Sequence, residues 1–117
     1  MMNNPERDLA GVSTRRLLAR RCALAAGLGS VEKVLSGSLV TQARRCGKAG
    51  CRCARGEPHG PYAWFTARQP GDGRMRYVPS GLVEVVRIYQ QRDAEVQMAL
   101  AEISAINAEL LARRELG

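Results

Sequence analysis

"PYAWFTARQPGDGRMRYVPS", residues 61–80, decides the fold. Two runs rich in aromatic and β-branched residues flank Pro70-Gly71-Asp72-Gly73, which is strong turn chemistry. The stretch predicts a β-hairpin with arms over 61–69 and 74–79. Side chains alternate across a strand. Tyr62, Trp64, Thr66 and Arg68 therefore share one face, and Ala63, Phe65 and Ala67 take the other. In the second arm Arg74, Arg76 and Val78 lie opposite Met75 and Tyr77. A chain with a single Trp ordinarily spends it on burial, so Trp64 is expected in the core; stacking on a ligand beside Tyr62 is the alternative.

Toward the N-terminus, "SLVTQARRC" (38–46) reads as a third strand. Ahead of it, Pro5, Glu6 and Asp8 start a helix expected over 6–26, with Cys22 on its apolar side and the first four residues disordered. Gly27 and Gly29 end that helix. Ser30 then opens a short helix through "VEKVL" (31–35). Toward the C-terminus, Ser80 is a candidate N-cap for a helix of about 35 residues reaching Leu116. Leu82, Tyr89, Val96, Ile103 and Leu110 recur every seven residues, joined by Val85, Ala99 and Ile106, while Arg92 and Arg113 break the pattern. Such a stripe suits a homodimer or a larger partner protein docked through residues 82–116. The alternative is a helix folded back on helix 6–26 of its own chain. The expected class is α+β: a small three-stranded antiparallel sheet between an N-terminal helix and a long C-terminal one. Its parts are a helical segment (1–36), a Cys/His loop with hairpin (37–79) and the long helix (80–117).

The loop between strands, "RRCGKAGCRCARGEPHGPY" (44–62), holds three of the four cysteines and the single histidine. Cys46, Cys51, Cys53 and His59 form C-x4-C-x-C-x5-H, a Cys3His donor set of the kind that binds structural zinc. Gly47 and Gly50 provide the backbone freedom that a tight knuckle needs. Arg44, Arg45, Lys48, Arg52 and Arg55 surround the sulfurs and would lower the thiol pKa values. His59 alternatively sits in a rigid Pro58–Pro61 turn, with water, Cys22 or a second chain completing the shell. A thiol redox sensor is a further alternative. Glu57 is the one acid in the loop, and no nucleophile–base pattern occurs elsewhere, so no enzyme activity is expected.

Charge points to a partner, the alternative being a solvated basic surface or a composition drifting with a GC-rich genome that favours Arg over Lys. Sixteen of the eighteen cations are Arg, and the net charge is +7. Residues 1–39 carry six cations and three acids, residues 40–79 eight and two, residues 80–117 four and six. The basic middle, with Arg68, Arg74 and Arg76 from the hairpin added to the five loop cations, suits a phosphate backbone. Tyr62 and Trp64 would stack on unpaired bases. The expectation is a zinc-stapled nucleic-acid-binding module, DNA favoured. A protein-interaction adaptor gripping an acidic partner is the alternative. No apolar run approaches a membrane span. Arg20 and Arg21 interrupt what would be the apolar region of a twin-arginine signal, so a cytoplasmic location is expected.

From Gly37 to Pro79 the chain resembles a family of small bacterial and phage proteins of unknown function. The shared core is G-S-L-V, then C-G-K-x-x-C-x-C-A-x-G-E-x-H-G-P-Y, then a hairpin ending Y-V-P. The motif residues here are Cys46, Gly47, Lys48, Cys51, Cys53, Gly56, Glu57, His59, Gly60, Pro61 and Tyr62. This chain departs from the pattern at Ala63 and Trp64, where the family more often carries Tyr. The resemblance implies a DNA-associated accessory role linked to mobile elements.

Overall fold

The computed structural model describes residues 9–44, 47, 48, 50, 51, 55, 56, 59–68 and 73–117, excluding the side chains of Arg44 and His59. The element order is α1 (Thr14–Leu28), β1 (Gly37–Arg44), β2 (His59–Ala67), β3 (Met75–Val78), a 3-10 turn (Ser80–Leu82) and α2 (Val83–Ala112). The strands form one antiparallel sheet in the order β1-β2-β3, giving the expected α+β arrangement.

Chain packing divides the molecule into two compact units. One joins residues 1–32 to 94–117, and the other is Lys33–Asp93. The first is a pair of helical segments. α1 begins later than the sequence suggests, because Ser13 acts as N-cap: its Oγ accepts from the Arg16 amide at 3.3 Å. The expected start at Pro5–Asp8 lies outside the described residues, and residues 9–12 form a turn closed by the Val12 amide on the Leu9 carbonyl at 3.0 Å. The helix runs past Gly27 and stops at Gly29, whose φ of 55° suits glycine.

Leu17, Ile106 and Leu110 are fully buried together, with Leu9, Val12 and Leu24 around them. The later part of the long helix is thus folded back on α1, which was the alternative to a partner-facing stripe. Cys22, expected on the apolar side, is exposed instead. Polar contacts surround this core. Arg20 grips Glu102 with Nε and Nη2, at 2.5 and 3.0 Å. That hydrogen bond, aided by the opposite charge and opposed by burial, holds the Glu102 carboxyl below its ordinary range. Arg21 Nη1 donates to Asn107 Oδ1 at 2.8 Å. Arg113 pairs with Glu109 at 2.7 Å and turns Nη2 onto the carbonyls of Leu9 and Val12, at 3.0 and 2.6 Å.

α2 ends at Ala112, short of Leu116, in a Schellman motif. The Arg114 amide reaches the Leu111 carbonyl at 2.9 Å, and the Glu115 amide reaches that of Leu110 at 2.8 Å. Arg114 occupies the left-handed position usually given to glycine, with φ 58°.

The second unit is the sheet with the first turns of α2 laid on it. Ala63, Phe65 and Val78 form its buried centre, lined by Leu35, Leu39, Val83 and Val86. The register explains this grouping: Leu39 opposes Phe65, and Ala63 opposes Val78. Residues 31–36 are not helical. Five residues between glycines cannot repay helix nucleation. Leu35 goes instead to the sheet core, and its amide bonds the Tyr89 carbonyl at 3.2 Å. Gln90 Nε2 adds a bond to the Gly37 carbonyl at 3.0 Å. Ser80 opens the 3-10 turn and so is not the N-cap of α2, which begins at Val83.

Candidate nucleic-acid interface

The sheet has two unlike faces. Leu39, Ala63, Phe65 and Val78 point toward α2. On the other face, the register sets Val40 beside Trp64 and Trp64 beside Tyr77, with Gln42 opposite Tyr62 and Thr66 opposite Met75. Trp64 is therefore not the core anchor. Phe65, its neighbour, occupies that place, and Trp64 is half-buried on the outward face. The ring of Tyr77 meets those of Trp64 and Tyr62 edge-on, with centroids 5.6 and 6.2 Å away. Val40, Tyr62, Met75 and Tyr77 are all exposed. Sequence reasoning named Tyr62 and Trp64 but missed Tyr77, whose position depends on register; pairing the arms Trp64-to-Tyr77 would have found it.

Two motif glycines have steric reasons. A Cβ on Gly37 would fall 2.2 Å from the Thr66 carbonyl oxygen and 2.5 Å from Cζ of Phe65. Gly60 has φ 105°, and a Cβ there would meet the Tyr62 amide nitrogen at 2.7 Å. The Gly60–Pro61 peptide bond is cis. These residues shape the corner from which Tyr62 emerges. Thr41, Gly60, Pro61, Tyr62, Tyr77 and Ser80 line part of a cavity of about 490 Å³ there. A second cavity of about 380 Å³ is walled by Leu35, Phe65, Val78, Leu82 and Val86, with Arg76 at its boundary.

The Cys/His loop is described in part. Cys51 is half-buried, and its amide closes a turn on the Lys48 carbonyl at 3.1 Å. Gly47 is left-handed, with φ 78°. Arg45, Cys46, Arg52, Cys53 and Glu57, with the side chains of Arg44 and His59, lie outside the described residues. Among the described residues no three metal-ligating side chains meet. The backbone shows how the loop is rooted. After a bulge between Gln42 and Arg44, Arg44 pairs with His59. This draws the loop's two ends together, with Cys46 two residues beyond one end and His59 at the other.

Of the remaining candidate cations, Lys48, Arg55, Arg68, Arg74 and Arg76 are exposed. Arg76 opposes Phe65 and so springs from the sheet face away from Tyr77. The larger finding is where charge resides. Lys33–Asp93 contains eleven Lys and Arg against four Asp and Glu; the other unit holds seven of each. The whole net charge of +7 thus belongs to the sheet unit. The three strands contain no Asp or Glu.

The profile of a protein family described as a domain of unknown function, DUF6788, matches residues 14–88. The chain belongs to that family. The DUF6788 match starts at the first residue of α1 and takes in the whole sheet, the Cys/His loop and the opening turns of α2. No curated protein and no solved structure matches the chain. No helix among the described residues is long and apolar enough to cross a membrane.

Proposed function

We propose that this DUF6788 protein is a nucleic-acid-binding accessory module, DNA favoured, whose Cys/His loop is stapled by zinc. The observation that carries the reading is the segregation of charge. One compact unit holds all of the net +7, and the other is neutral. A basic unit built mainly from arginine, with acid-free strands, suits a polyanion whose phosphates accept the planar guanidinium fork.

Zinc enters through Cys46, Cys51, Cys53 and His59. The Arg44–His59 pairing supports this set, because it brings His59 opposite a strand end that lies two residues before Cys46 in the sequence. Metal binding in such a loop becomes folding free energy, on the order of 10 kcal/mol in small zinc modules. Assembly with a second copy or a larger enzyme would use the start of α2, where Val85 and Ile88 are exposed beside Leu82 of the preceding 3-10 turn. The link to mobile elements belongs to the same proposal.

The test combines metal analysis with nucleic-acid retention. About one zinc per chain is expected, released by Cys51→Ser. Affinity for DNA should fall with salt, with a log–log slope of about −0.9 per phosphate neutralised on duplex and about −0.7 on single strands. Protein that retains no DNA or RNA in about 50 mM salt would instead be an adaptor for an acidic protein.

A further inference from the structure

The outward sheet face carries the inference furthest, and it rests on the nucleic-acid reading above. We propose that Tyr62, Trp64 and Tyr77 form a stacking platform for an unpaired DNA strand. Three rings converge on one face at the edge-on distances given above, and two of them, Tyr62 and Tyr77, are exposed. Val40 and Met75 extend the apolar floor, while Gln42 beside Tyr62 and Thr66 beyond Trp64 add hydrogen-bonding groups at its margins.

Charge selects the occupant. The face has no carboxylate and belongs to the unit with seven excess cations, so an acidic strand is attracted where a basic or neutral one is not. Geometry selects an unpaired strand. In a duplex the π-faces of the bases are already stacked on one another, and only edges and phosphates are on offer. A splayed base offers a π-face to Tyr or Trp regardless of its identity. Tyr62 and Trp64, two apart on β2, lie about 6.6 Å apart along the strand, so successive bases would meet successive rings.

Trp64 is the chain's only tryptophan, so its fluorescence reports on this face alone. Full-length protein is titrated with a ten-nucleotide oligo(dT) and with a blunt duplex of equal length. Saturable quenching by oligo(dT), with none by the duplex, is expected. Tyr77→Ala should weaken oligo(dT) binding about five- to a hundredfold, the range for loss of one stacked base. Val40→Glu, at an exposed site that cannot disturb the core, should weaken it as well. If oligo(dT) binds in a salt-dependent way but leaves Trp64 fluorescence and both variants unaffected, the platform is refuted and the nucleic-acid reading survives. If neither of the DNAs nor oligo(U) binds, both fall. Tenfold tighter binding of oligo(U) than of oligo(dT) would overturn the assignment to DNA.

Discussion

Replacing Phe65 by Ala tests whether each compact unit stands on its own core. Phe65 is 4% exposed and packs with Ala63, Val78, Leu35 and Leu39, its ring lying against the bare Cα of Gly37. Truncating a buried Phe to Ala costs about 3–5 kcal/mol. Domains are stable by about 0.05–0.15 kcal/mol per residue. For the 61 residues of Lys33–Asp93 that is about 3–9 kcal/mol. The substitution therefore removes from a third to all of the stability of this unit. Hydrogen exchange read by mass spectrometry resolves the outcome. Amides of 37–44, 59–67 and 75–78 should lose protection by at least a hundredfold. Those of 14–28 and 100–112 should keep theirs, because Leu17, Ile106 and Leu110 form a separate cluster. Equal loss in both sets would refute two separately held cores and show that the chain unfolds as one.

Two further outcomes follow from the helical unit. Arg114→Gly should stabilise the protein by about 0.5–1 kcal/mol in urea unfolding, since a left-handed non-glycine residue is strained and glycine is not. The Glu102 carboxyl is held low by Arg20, so its contribution is present above the ordinary carboxylate pKa and is lost as pH falls through the lowered value. Wild-type stability should therefore decline more steeply below about pH 4 than that of Glu102→Gln, as followed by circular dichroism.

The hairpin, β1 and the long helix were legible because each rests on local chemistry. The composition of Pro70 to Gly73 signals a turn, alternation orders Tyr62 to Ala67, and an uninterrupted run follows Ser80. What was not legible depends on pairing at a distance. Trp64 and Phe65 are adjacent and both aromatic, and either was suited to the core. The choice falls to Phe65 because α2 and Leu35 cover its face and because Gly37 makes room for the ring. Cys22 lies about 140° around α1 from Leu17, whereas Leu24 lies within about 20° of it, so a helix seated by Leu17 and Leu24 turns Cys22 to solvent. The "VEKVL" helix failed because Leu35 gains more from the sheet than five residues gain from one helical turn. For the loop, the proposed zinc set rests on spacing, and most of its side chains lie outside the described residues.

An arginine-rich composition is ambiguous by itself, because arginine serves as readily inside a fold as against a ligand. The division into units separates the two uses. In the helical unit Arg20, Arg21 and Arg113 are bound to Glu102, Asn107 and Glu109, and Arg113 also holds the Leu9–Val12 turn. There cations and acids are equal in number, and the guanidinium groups act as internal fasteners. In the sheet unit cations outnumber acids by seven, and the strands supply no carboxylate to answer them. A composition set only by genomic drift toward arginine would leave the excess spread over both units. Confinement to the one that also bears the ring cluster and the Cys/His loop is what favours the proposed nucleic-acid partner.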